Sequence, residues 1–145
     1  MTISIRLDGT AEVFDVFERL DSQLADRAVR RLAQKAFDDT QLAADRHTQS
    51  GAMARSVFIR PISDGFEVGN DLQVAPHAWF VHWGAQPHVI RPSTKKALRW
   101  PAGGAFVFAK FANHPGYEGD PYLVDFARDA PRHLNDIINQ LQRNL

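Results

Sequence analysis

The chain has 145 residues, 17 basic and 17 acidic side chains, and no cysteine. Its length suits one domain spanning residues 1–145, and 44% hydrophobic with 10% aromatic content places it among globular chains able to bury a core. A formal net charge of zero argues against a general electrostatic grip on nucleic acid or an anionic membrane, and the lack of cysteine excludes disulfides, thiolate catalysis and Cys-ligated zinc.

The N-terminal residues Met1 to Arg6 lack the basic-then-apolar order of a signal peptide, and no apolar run approaches the ~20 residues of a spanning helix. A soluble protein of the cytoplasm in which it is made is therefore expected, without membrane partners. Ile3, Ile5 and Leu7 alternate with polar residues and predict a short strand, with Asp8-Gly9 as its turn. From about Ala11 to Arg46 the pattern is helical. Leu20, Leu24, Ala28, Leu32 and Ala36 recur every four residues, widened by Val29, Ala33 and Phe37, with charges such as Asp26, Arg30 and Asp38 opposite. A break near Asp21-Ser22 would divide this stretch into a short and a long helix.

Thr48 to Gly51 ends the helix. Ser56 to Pro61 reads as a strand, Asp64-Gly65 as a hairpin turn, and Phe66 to Gly69 as the returning strand. Trp79 to Trp83 is dense in aromatics and closed by Gly84, Ala85–Lys96 reads as a loop, and Leu98–Trp100 and Phe106–Phe111 as strands flanking Pro101 to Gly104. Phe106, Phe108 and Phe111 are too apolar for a fully exposed edge, and Trp79, Trp83 and Trp100 are expected in the core more than on the surface. Asp120-Pro121 reads as an N-cap with proline at the first helical position. The last helix follows, apolar at Leu123, Phe126, Leu134, Ile137, Ile138 and Leu141, and Pro131 should kink or split it. Strand, long helix, antiparallel sheet and helix together predict an α+β class, with both helices packed on a small sheet.

Chemical motifs are sparse. His77, His82, His88 and His114 share the β-rich half, but none has the helical spacing of a metal-binding pair, and His77 and His82 would point to opposite faces of a strand. A small metal-dependent hydrolase using these four histidines is the alternative they leave open. Ser50 and Ser56 lack a nucleophile-elbow context, the β-half is poor in carboxylates, and Gly103-Gly104 is not followed by the Lys-Ser/Thr of a phosphate loop. Arg91, Lys95, Lys96 and Arg99 form a basic stretch without an acid. It is either a solvated loop or a patch facing an acidic partner or a DNA channel. A free-standing dimeric binding module is a further alternative.

Four segments, in order, carry a resemblance. They are Thr48 to Val57, Ala78 to Gly84, His88 to Pro92 with Lys96 to Trp100, and Val107 to Gly116 followed by Asp120-Pro121-Tyr122-Leu123. Together they resemble the tail-completion, or head–tail joining, minor structural proteins of the necks of long-tailed bacteriophages. The resemblance covers residues 48–127 by motif and the whole chain by element order. Here Met53 stands for the family's usual leucine, Ser50 for a threonine, His82-Trp83 for Glu-Phe and Ala85 for a threonine, which keeps the apolar positions and changes a charge. The resemblance implies a non-catalytic virion protein without cofactor or metal. It implies a homo-oligomeric ring, often sixfold, between head connector and tail terminator or tube, through which DNA passes without being read. A ring needs heterologous contacts. The candidates to make them are Trp83, His88, Arg91, Lys95, Lys96 and Arg99 in or beside the Ala85–Lys96 loop, and His114, Pro115, Gly116 and Tyr117 in the Asn113–Gly119 loop, with the long helix from Leu24 as a further surface.

Overall fold

A computed structural model describes residues 1–8, 22–47 and 49–144. The fold is α+β, with small antiparallel sheets and a long helix toward each end of the chain. The elements are β1 (Thr2–Asp8), α1 (Ser22–Arg46), α2 (Ala52–Ser56), β2 (Val57–Ile62), β3 (Gly65–Asp71), α3 (Ala78–Trp83), β4 (His88–Ile90), β5 (Leu98–Ala102), β6 (Ala105–Ala109), β7 (Ala112–His114) and α4 (Tyr122–Arg143). The expected turn at Asp8-Gly9, and the expected helix between Ala11 and Asp21 with its break, lie outside the described residues.

The first sheet has the order β1-β3-β2, antiparallel throughout. Ile62 pairs with Gly65, so the hairpin turn is Ser63-Asp64, one residue earlier than its sequence suggests. Pro61 is tolerated because β2 is an edge strand. The alternation of β3 sends Phe66, Val68 and Asn70 to one face, with Ile3 beside them, and all are buried. Helices α1 and α4 pack on each other and on this sheet. α1 contributes the predicted stripe Leu24, Ala28, Leu32 and Ala36, extended by Thr40, Ala43 and Ala44. α4 contributes Leu123, Phe126, Leu134, Ile137, Ile138 and Leu141.

Two features of α4 differ from expectation. The helix runs through Pro131 as one element. Pro131 is on the exposed side, and the burial of one face along the whole helix outweighs a lost backbone bond. Pro121, not Asp120, takes the N-cap, with no side-chain capping bond. The carboxylate of Asp120 is turned instead toward the end of α1.

Two buried polar groups order the sheet. Asn70, fully buried, donates from Nδ2 to Ser56 Oγ at 2.8 Å and accepts from the Tyr122 hydroxyl at 2.6 Å, while Ser56 Oγ donates to the Met53 carbonyl at 2.7 Å. The network ties α2, β3 and the start of α4 together, and burial pushes the Tyr122 phenol well above its ordinary value. On the opposite face of the sheet Glu67 is buried among Ser4, Arg60 and Arg6. The Ser4 hydroxyl, donating at 2.5 Å, is the first cause holding its carboxyl below the ordinary value, followed by Arg60, against the opposing effect of burial.

Candidate functional site

Residues Gly84 to Gly119 leave the body and return to it as one antiparallel arm. At its base Ala85 and Tyr117 exchange two backbone hydrogen bonds, each 2.8 Å. Further out β4 pairs with β7, matching His88 with His114 and Ile90 with Ala112. At the tip β5 pairs with β6, matching Leu98 with Ala109 and Ala102 with Ala105. The closing turn Gly103-Gly104 has positive φ at both positions (57° and 83°), the geometry that a two-residue hairpin loop demands and glycine supplies. The supposed loop Ala85–Lys96 thus contains a strand, and the two supposed loops are the two legs of one arm.

The base is built by close backbone approach. Gly84 has φ 81° and ψ −178°, a conformation essentially confined to glycine. A Cβ there would lie 2.5 Å from the Tyr117 carbonyl oxygen, and one on Gly119 would lie 2.5 Å from the His82 carbonyl oxygen. The Asp120 N–H donates to the Val81 carbonyl at 2.9 Å.

Most candidate residues gather on this arm. The rings of His88 and His114 stack with centroids 4.8 Å apart. His88 donates through Nδ1 to the Gln86 carbonyl at 2.7 Å if that nitrogen carries the proton, while His114 Nδ1 accepts from the Gly116 N–H at 3.1 Å. Arg91 lies over the Phe111 ring at 5.8 Å and Arg99 over the Phe106 ring at 4.3 Å. Lys95 and Lys96 are exposed between β4 and β5. Pro115 and Gly116, with φ 89° at Gly116, turn the returning leg toward Tyr117. Trp83 sits apart from the tip, exposed on α3 just before the arm begins.

The hairpin β5–β6 makes no extended contact with any other described element. Pairing and alternation put Leu98, Trp100, Ala102, Ala105, Val107 and Ala109 on one face, and Arg99, Pro101, Phe106 and Phe108 on the other. Phe106 is 55% exposed and Phe108 65%, so the expectation that these phenylalanines are sheltered is not met. Phe111 is exposed as well, and so are the three tryptophans, against the expectation that they lie in the core more than on the surface. No described element packs over either face of the hairpin. Large apolar side chains left open in this way mark a binding surface.

The residues from Trp79 to Trp83 form a helical turn, α3, not a strand. His77 and His82 are therefore not on opposite strand faces. His82 is buried, edge-on to Trp83 and Tyr122, and neither ring nitrogen has a hydrogen-bond partner among the described residues. Burial lowers its affinity for a proton below the ordinary value, against the opposing pull of Asp120 and Asp125. His77, His88 and His114, with Phe80 and Tyr117, line a hollow of about 390 Å³ between α3 and the arm's base. His82 is not among its lining, and among the described residues no group of three His, Asp or Glu side chains could hold a metal ion.

A clasp that sequence alone does not reveal holds the arm's return. His47 Nε2 donates to Asp120 Oδ2 at 2.7 Å, Arg46 Nη2 reaches the same oxygen at 3.2 Å, and the Tyr117 hydroxyl lies 3.4 Å from His47 Nδ1. Burial pushes the Asp120 carboxyl up, but the bonds from His47 and Arg46 outweigh it and hold the group below its ordinary value. His47 and Asp120 lie 73 positions apart, and no local motif announces the pair.

Comparison with known proteins adds no relative: no protein-family model matches the chain, and no curated protein or solved structure matches it. No helix among the described residues is long and apolar enough to cross a membrane.

Proposed function

We propose that this chain is a structural subunit of a tailed-phage neck, forming a ring that completes the tail and joins it to the head connector, with DNA passing through the centre. The ordered segments between Thr48 and Leu123 support the neck assignment. The observation that carries an assembly role is the arm, whose tip hairpin exposes apolar side chains on both faces and makes no extended contact with another described element. A two-stranded hairpin is marginal in water by itself, so a partner that covers it supplies what the fold leaves out. In this role the body is a rigid mount, the clasp of Asp120, His47 and Arg46 holds the arm's root, and the tip makes the contact. The ring's neighbours are further copies, the head connector, and the tail terminator or tail tube.

The test is genetic and compositional. Phage particles purified from a host carrying the gene should contain the protein. Its deletion should leave filled heads and tails unjoined, and a chain with residues 98–109 replaced by a short turn should fold without rescuing the defect. Absence of the protein from intact particles sinks the proposal.

A further inference from the structure

We infer that the arm of one copy docks on a second copy of this chain, in the groove between α1 and α4. This deepens the assembly proposal and rests on it, by naming the two surfaces that meet. Charge segregation along the chain points to a second copy. Residues 72–117 contain Arg91, Lys95, Lys96, Arg99 and Lys110 and no Asp or Glu. With 17 basic and 17 acidic residues in all, the remainder has 12 basic against 17 acidic. A chain of zero net charge is therefore divided into a segment of +5 and a remainder of −5, with every histidine taken as neutral. A segment and a remainder of opposite sign attract between copies when the segment cannot fold back on its own body, and this hairpin makes no extended contact there.

The groove suits the tip in shape and chemistry. It holds about 290 Å³, with Leu42, Ala43 and Phe126 as its apolar part, Asp39, Asp120, Asp125 and Asp129 as its acids, and Arg46, held by Asp120, and His133 also on its rim. Leu42 is 64% exposed, the one large apolar side chain of α1 left open to solvent. Asp39, Asp125 and Asp129 pair with Lys35, Arg128 and Arg132, one turn away on their own helices. Such exposed pairs contribute little and are readily exchanged for an incoming cation. At the tip Arg99 and Lys96 are close in sequence to Trp100, and Phe108 is directly opposite Arg99 across the hairpin. An aromatic side chain can thus enter the groove while a cation meets its rim. The aromatic side chains of the tip expose roughly 300 Å² between them, judged from typical ring areas. That is less than half of what one partner gives to a stable interface, about 800 Å². The remainder must come from the strands' backbone and the legs of the arm. The contact is heterologous, because arm and groove are different surfaces, so each copy offers one of each and the assembly propagates or closes into a ring. Duplex DNA is a poorer occupant for the tip. Its contacts to phosphate would leave Phe106, Phe108 and Val107 uncovered, and the −5 remainder would repel it.

Paired charge reversals in the full chain test the contact. Lys96→Glu with Arg99→Glu reverses the arm, and Asp39→Lys with Asp129→Lys reverses the groove; all four side chains are solvent-accessible, and circular dichroism verifies folding. In sedimentation velocity the native chain should associate with rising concentration, and less so in ~0.5 M salt. Each reversal should weaken that association by about tenfold or more. An equimolar mixture of the two variants should associate again, because acidic arms then meet basic grooves and basic arms meet acidic ones. A mixture that stays monomeric, a native chain that never associates, or association untouched by either reversal overturns the inference. So does binding of duplex DNA, read by fluorescence anisotropy, that is lost on reversing the arm and kept on reversing the groove. Association that resists both reversals leaves the neck proposal standing with another contact surface, whereas absence from intact particles removes the proposal itself.

Discussion

Leu123 and Phe108 are both large apolar side chains, yet Leu123 is 1% exposed on α4 and Phe108 is 65% exposed on β6. In the body, two helices and a three-stranded sheet converge, so a leucine at the start of α4 finds neighbours on several sides. At the arm's tip, β5 and β6 pair only with each other, and among the described residues neither face is covered by a third element. A body of this kind is stabilised by what it buries, whereas an arm of this kind holds its apolar surface for another molecule. The same residue types thus serve stability in one region and recognition in the other, and substitutions should separate the two.

The largest effect on stability is expected in the body. Leu123→Ala should cost about 2–5 kcal/mol, read as a lower denaturation midpoint with unchanged slope, because it opens a cavity in the buried core. Asn70→Leu comes next. It leaves the Tyr122 hydroxyl without its buried acceptor and should cost about 1–3 kcal/mol, most of which Tyr122→Phe in the same chain should recover. Recovery of nothing would mean that the network is not what Asn70 supplies.

At the junction, Asp120→Asn should cost about 0.5–1 kcal/mol near neutral pH, a modest figure because the clasp is partly solvated. The carboxyl has a folded value below the ordinary 3.8. Its contribution is therefore complete above about pH 4 and is lost as the pH falls through the folded value, so native and variant curves should converge in acid. His82 acts in a higher window. Its folded value lies below 6.5, so the unfolded chain takes up a proton first as the pH falls. Stability from the neutral ring is whole above 6.5 and declines as the pH drops below it. His82→Phe should flatten thermal midpoints measured between about pH 7 and about pH 5 and should cost little, because neither ring nitrogen gives up a partner among the described residues.

The smallest effect on stability belongs to the arm. Phe108→Ser should shift unfolding by no more than about 0.5 kcal/mol, the range of ordinary surface substitutions, while abolishing assembly in a complementation assay. A large loss of stability from this change would erase the distinction between body and arm.

Periodicity made the body legible. The stripe from Leu24 to Ala36, the strands around Asp64 and the apolar face of α4 all stand where the four-residue and two-residue patterns put them, because burial on one face is what those patterns record. Trp79 to Trp83 misled because a short aromatic run has no period long enough to tell a helical turn from a strand. Phe106 and Phe108 misled in another way. Apolar content signals that a side chain needs cover, and it does not say whether the cover comes from the same chain. In the sequence the candidate residues from His88 to Arg99 and from His114 to Tyr117 read as lying in or beside two separate loops. Their union into one arm depends on strand pairing between residues as many as 32 positions apart, Ala85 and Tyr117. The Asp120–His47 clasp spans a longer separation, 73 positions, and the N-cap pattern of Asp120-Pro121 gives no sign of it.

The crossing of Gly84 and Gly119 at the arm's root has a consequence for variation. Both legs pass there backbone against backbone, with no room for a side chain. The heading of the arm is thus written in main-chain atoms that every sequence shares, while its grip is written in the rings and cations beyond. Substitutions at the tip can retune what is held without turning the direction in which it is offered, and one methyl group at either glycine would disturb the direction while leaving the grip untouched.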